Sequence, residues 1–319
     1  MTELEREIHA QPEELRRVAG LDLTSQADRL SDAGRVWLVG TGTSLHAAEL
    51  GAMMLIRAGT DARFASSMEF ARWAPLRDGD AVIVLTHTGE TAYAQAARAR
   101  ALAAGAETLS ITGDAVGWPE AIETGPREGS HTYTRSYTSA LAVLCLIAGE
   151  LGAEGLGPDV VVAAADATEA VLEAPGIDDL PEPARLLVVT GSGPGSVTAR
   201  EGALKLREAA RLPAEGCDAE FLLHGSAVPL GADDALIVLG SGRDRDDFLG
   251  QLANAARAEG VDTRELDQPQ PEDELMVQIP LTVRLQLLAL RRAEAGGHDP
   301  DLVITGRWDD ERLWATGAP

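Results

Sequence analysis

Apolar residues recur along this chain in two rhythms. Short runs of Val, Leu, Ile and Ala alternate with longer stretches in which apolar positions return at helical spacing. The short runs predict strands over residues 35–39, 62–65, 81–86 and 107–112. The longer stretches predict helices over 2–19, 44–58, 91–104 and 138–151. Residues 152–159, rich in Gly and carrying Pro158, read as a boundary between a domain over 1–153 and one over 154–319. A helix over 160–173 and an acidic, Pro-containing loop over 177–183 lead into a second round. That round reads as a strand over 185–190, a Gly-rich turn and a helix to about 211, then a strand over 235–240, Ser241-Gly242 and a helix over 247–259. Further strands are predicted over 263–266 and 275–279, and a last helix over 282–295.

Alternation of strand and helix is the pattern of an α/β protein with parallel sheets. The two rounds match at one point. Val36 to Ser44 and Leu186 to Pro194 both read as a strand, a turn of small residues and a helix start. The expectation is two similar doubly wound parallel-sheet domains, with ligands at the carboxyl ends of the strands.

Composition narrows the chemistry. With 27 basic and 51 acidic side chains the formal charge is −24, which repels a nucleic-acid backbone. An anion must then be held locally, by backbone N–H groups and placed hydroxyls. The two cysteines, Cys145 and Cys217, support neither a disulfide framework nor a thiolate metal cluster. No apolar run is long enough to span a bilayer, and the start of the chain carries no apolar signal core, so the expectation is a cytoplasmic protein with no membrane partner. Of the basic side chains all but one are Arg; the exception is Lys205. Lysine can lose its proton and act as a nucleophile, which arginine does not do.

Three segments carry candidate chemistry. Gly40-Thr41-Gly42-Thr43-Ser44 opens a helix but fits neither dinucleotide nor P-loop spacing, so it reads as an anion-binding turn or a plain turn capped by Ser44. Thr86-His87-Thr88-Gly89-Glu90-Thr91 places three hydroxyls around one glycine between a strand and a helix. A phosphate monoester suits that cradle, whereas a helix cap would need one hydroxyl only. Glu201, Lys205 and Glu208, read as early in their helix, fall at i, i+4 and i+7 and so share one face. They form either a surface ladder or a carboxylate base beside an amine.

Together these segments resemble the isomerase half of glucosamine-6-phosphate synthase, which is built from two sugar-isomerase (SIS) domains of flavodoxin-like fold. Glu7 to Pro12 looks like its K-E-I-x-E-Q-P helix, Gly42-Thr43-Ser44 like its G-T-S loop, and Thr86 to Thr91 like its S-Q-S-G-E-T cradle. The stretch from Glu128 to Leu141 is similar to the V-A-S-T-K sugar loop, Glu201 to Glu208 to E-G-A-L-K-L-K-E, and His224-Gly225 to H-G-P. By that resemblance Thr43, Ser44, Thr86, His87, Thr88 and Thr91 hold a sugar phosphate, and Thr134 and Arg135 touch the sugar. Lys205 meets the carbonyl carbon, Glu208 moves the proton, and His224, supplied by a neighbouring subunit, assists ring opening. The resemblance implies a cofactor-free, metal-free isomerisation of a phosphorylated sugar or aminosugar, by a homodimer with shared active sites. Departures are His87 for the cradle glutamine, Tyr133-Thr134-Arg135 for S-T-K, Ser226 after His224-Gly225, and no lysine near Asp299-Pro300-Asp301-Leu302 where the family has a lysine loop. No segment resembles the glutaminase domain. These departures point toward aminosugar-phosphate deaminases and fructosamine-phosphate deglycases as alternatives. A sugar-phosphate-binding regulator is the alternative without chemistry; it would need the cradle but not Lys205, Glu208 and His224.

Overall fold

The structure, a computed structural model, describes residues 1–240 and 246–319. Two parallel sheets form, each in its own compact unit. One unit gathers Ala10–Gly129, Arg135–Val162 and Ile304–Pro319, the other Met1–His9, Ser130–Thr134 and Ala163–Val303. The expected α/β class with two parallel sheets is what the chain adopts.

After helices α1 (Glu3–Ala19) and α2 (Thr24–Ser31), the first sheet is built by β1 (Arg35–Gly40), β2 (Ala62–Ser66), β3 (Asp80–Leu85), β4 (Glu107–Thr112) and β5 (Ala121–Glu123). The helices between and after them are α3 (Thr43–Arg57), α4 (Ser67–Trp73), α5 (Ala92–Ala103) and α6 (Arg135–Glu150). The strand order is β2-β1-β3-β4-β5. β1 pairs in parallel with both β2 and β3, so the chain reverses its direction of travel across the sheet between β1 and β3. β3 is buried along its whole length, as its unbroken Ala-Val-Ile-Val-Leu run requires of a central parallel strand. Trp37, Val39, Val82, Val84 and Phe70 share one apolar cluster of this unit.

The second sheet repeats the grammar. Helix α7 (Pro158–Glu173) precedes β6 (Leu187–Gly191), α8 (Pro194–Ala210), β7 (Ala214–Asp218) and the short turn α9 (Ala219–Phe221). Then come β8 (Ala235–Gly240), α10 (Phe248–Ala258), β9 (Asp262–Asp267) and α11 (Gln278–Gly296). The order β7-β6-β8-β9 is the first four strands of the other sheet over again. Its core joins Leu187, Val189, Ile237 and Leu239 of the strands to Leu206 of α8 and Leu285 of α11. The chain ends in one further turn of helix, α12 (Glu311–Trp314).

Several expectations need correction. Residues 275–277 are a turn and 278–279 the start of α11, not a strand. Asp273 accepts from the Leu275 and Met276 N–H groups and folds that turn, and an apolar run alone does not separate a buried strand from a buried helix start. Helix α6 begins at Arg135, earlier than the expected 138. β5 and β7 were not anticipated: the first is three residues long, the second the Ala-Glu-Gly-Cys-Asp sequence on a sheet edge. The expected turn at Ser241-Gly242 lies outside the described residues.

Candidate active site

The β1–α3 and β3–α5 connections leave the carboxyl ends of neighbouring parallel strands, at the point where the strand order reverses. Open α/β sheets leave a crevice there. In the first connection the N-cap of α3 is Gly42, at φ 57°, and not Ser44, as the plain-turn alternative had it. That backbone conformation is costly for any residue with a Cβ, and Gly40 is required two residues earlier, where a Cβ would stand 2.3 Å from the Ser44 carbonyl oxygen. Thr43 and Ser44 fall in the first turn of the helix, half-buried, and no side chain caps it. The turn β6–α8 is built the same way, with Gly193 at φ 52° as N-cap.

In the second connection Thr86 is buried and its N–H donates to the Ile111 carbonyl (3.0 Å). Thr88 Oγ1 accepts from the Glu90 N–H (3.2 Å), which closes the loop on itself. Thr91 occupies the N-cap position of α5 yet makes no capping hydrogen bond with its side chain. Its hydroxyl is thus not consumed by the helix, which separates this loop from an elaborate cap. Two helix N-termini and hydroxyls on both loops suit an anion.

His87 turns toward a neighbouring segment. Its Nε2 accepts from the Glu128 N–H (2.9 Å), and its ring lies where a Cβ on Gly113 would be (2.6 Å from Cε1). Glu128 is buried, and its carboxylate accepts from the Arg135 and Ser136 N–H groups (3.3 and 2.7 Å) at the start of α6. The Arg135 guanidinium donates to the Pro126 carbonyl (2.9 Å). Thr134 is fully buried in the other unit.

Helix α8 carries the remaining candidates. Glu201, Lys205 and Glu208 sit in its middle and last turns, not early in it, with about 20 Å of helix axis between Pro194 and Glu208. Lys205 Nζ lies 2.7 Å from Glu208 Oε2 and 3.4 Å from Glu201 Oε1. The side chains of Lys205 and Glu201 are 1% and 0% exposed, and that of Glu208 is 21% exposed. This is no surface ladder: one buried ammonium serves two carboxylates, of which Glu201 is shut away from water and Glu208 reaches solvent. Burial pushes the Glu208 carboxyl above the usual carboxylate range, against the pull of the Lys205 ammonium. His224 lies exposed in the turn after α9, beside Gly225 at φ 127°. Among the described residues no group of His, Cys, Asp and Glu is placed to hold a metal ion, and no helix is long and apolar enough to cross a membrane.

The SIS domain family matches residues 29–119, which span β1 to β4 and both loops of the crevice. The chain carries an SIS domain. This SIS-domain chain is also homologous to glutamine–fructose-6-phosphate aminotransferases (isomerizing). It is 30% identical to that of Thermococcus kodakarensis, over 88% of this chain and 52% of the relative. It is likewise 30% identical to that of Pyrococcus horikoshii, over 86% and 51%. The chain spans about half the length of the curated relatives it matches. In fold it is similar to the tagatose-6-phosphate ketose/aldose isomerase of Escherichia coli (TM-score 0.82, 19% identity, 95% of this chain and 96% of that one). It is similar also to the C-terminal domain of the Francisella tularensis glucosamine-fructose-6-phosphate aminotransferase (TM-score 0.80, 18% identity, 95% and 98%). A glucosamine-6-phosphate deaminase of Thermotoga maritima has the same fold (TM-score 0.75, 19% identity, 94% and 97%).

Proposed function

We propose that the chain is a phosphosugar isomerase that moves a proton between C1 and C2 of a phosphorylated sugar or aminosugar. The observation that carries this reading is the Glu201–Lys205–Glu208 set, with Lys205 and Glu201 buried and Glu208 reaching solvent. A carboxyl raised by burial is a stronger base than an ordinary carboxylate, as proton transfer from carbon requires. Glu208 takes the proton from the carbon next to the carbonyl. The C–H electron pair becomes the double bond of an enediol, and the carbonyl oxygen takes up a proton. Glu208 returns the proton to the former carbonyl carbon while the hydroxyl on the first carbon gives up its proton to solvent and becomes the new carbonyl, so no oxidant, reductant or cofactor is consumed. Lys205 polarises the carbonyl or joins it as an imine. The phosphate falls to Thr43, Ser44, Thr86, Thr88 and Thr91, and the family resemblance assigns Thr134 and Arg135 to the sugar. The names of the relatives, isomerizing aminotransferases and a ketose/aldose isomerase, support the same reaction class. His224, on an exposed loop, is assigned to ring opening in the site of a second copy.

A panel of hexose and aminohexose phosphates followed by mass spectrometry tests the reaction and separates isomerisation from loss of ammonia or an amino acid. Calorimetry tests the cradle: Thr88→Val with Thr91→Val is expected to abolish sugar-phosphate binding in a folded protein. Unchanged affinity would remove the phosphate assignment.

A further inference from the structure

We propose that His87 is a positioning residue, not a phosphate ligand: its neutral imidazole clamps the cradle loop to the segment that opens α6. The proposal rests on the reading of residues 86–91 as a phosphate cradle. Two contacts join that loop to residues 127–128. The Glu128 N–H donates to His87 Nε2 (2.9 Å), and the Arg127 guanidinium grips the Glu90 carboxylate through both nitrogens (2.8 Å each). The second contact is exposed and adds little by itself. The first is more enclosed, because Gly113 leaves the space the ring fills.

The segment so gripped is hydrogen-bonded at its far end. The Glu128 carboxylate takes the first N–H groups of α6, and Arg135, the first residue of that helix, reaches back to the Pro126 carbonyl. One residue, Glu128, thus ties the cradle loop through its backbone and the helix through its side chain. Removing the clamp frees the loop that carries Thr86, Thr88 and Thr91 from its outer support.

The clamp has a direction of charge. Nε2 accepts only while its lone pair is free, so the ring proton sits on Nδ1. Adding a proton to Nε2 sets N–H against N–H and opens the contact. The charged groups on the surrounding segments are Glu90 on the loop itself, Asp114 after β4, and Arg127, Glu128 and Arg135. Glu90 and Arg127 face each other, Asp114 Oδ1 accepts from the Gly125 N–H (3.1 Å), and Glu128 and Arg135 are held at α6 as above. A glutamine at position 87 offers an acceptor at similar reach that does not titrate.

The test reads the Glu128 amide by hydrogen exchange in the ligand-free chain, and binding of fructose 6-phosphate by calorimetry. Wild type, His87→Ala and His87→Gln are compared at pH 8. The amide should exchange about fivefold faster in His87→Ala, as expected for one lost hydrogen bond, and His87→Gln should restore protection. His87→Ala should also lose fructose 6-phosphate affinity by about three- to fivefold, with His87→Gln restoring it. An unchanged amide in His87→Ala, or no rescue by His87→Gln, would overturn the clamp. If fructose 6-phosphate binds none of the three proteins, the cradle reading fails, and the exchange rates still decide the clamp.

Discussion

Lys205 shows what a single residue conveys before and after folding. In the sequence it is an isolated ammonium among arginines, and its neighbours at i−4 and i+3 are carboxylates. That pattern alone fits a solvated helix face. Burial changes its meaning, because a lysine removed from water must be paired, and Glu201 and Glu208 both lie within ion-pair reach of it. If Lys205 acts as a nucleophile or proton carrier, Lys205→Arg should lower kcat by about 10²-fold or more, since a guanidinium neither forms an imine nor gives up its proton. Borohydride trapping with a keto-sugar phosphate, with the α-amino group blocked, reads the imine at one side chain only. A fully active Lys205→Arg chain would reduce Lys205 to an electrostatic tether. Glu128 is the opposite case. Its ligands are N–H groups seven and eight residues ahead, a distance at which no local capping pattern operates, so its role was not to be read from spacing.

At the scale of elements, the clearest local rule is the Gly-x-Gly turn that ends β1 and opens α3. The added Cβ of Gly40→Ala would meet the Ser44 carbonyl oxygen at 2.3 Å and the Leu45 nitrogen at 2.8 Å, both backbone atoms that have no rotamer to yield. A loss of about 2–4 kcal/mol is expected in urea denaturation, together with weaker sugar-phosphate binding. A variant as stable as wild type would mean that the turn re-forms around the methyl group. Other elements show where local signals stop. Helix α4 starts with a complete capping box, Ser66 with Glu69, a four-residue signal present in the sequence. β7 has no such signal. Its Glu, Gly and Asp are poor strand formers, and it is a strand because β6 offers an unpaired edge beside it.

At the scale of the molecule, the two halves share one strand order, and in each the reversal falls beside the first strand. This repetition supports two copies of one ancestral unit. The His224 turn is flanked by exposed apolar side chains, Phe221 at 63%, Leu223 at 56% and Val228 at 84%. Exposed apolar residues clustered on one turn suit a protein–protein contact. If that contact is a second copy completing the site, mixing His224→Ala with Glu208→Ala subunits should restore about a quarter of wild-type activity, the share expected for one intact site in half of the dimers. No recovery after proven subunit exchange would place His224 in the site of its own chain, or outside it.

The amino-acid sequence by itself determined the α/β class, the two rounds of strand and helix, the glycine turns and the helix face shared by Glu201, Lys205 and Glu208. Each of these depends on neighbours a few residues away, where periodicity and backbone conformation act. Only the tertiary structure decided that Lys205 and Glu201 are buried, that burial holds Glu208 above its ordinary range, and that His87 meets the Glu128 N–H. Burial and hydrogen bonds between segments some forty residues apart arise when sheets and helices close over one another, and no local pattern encodes which groups are then shut away from water.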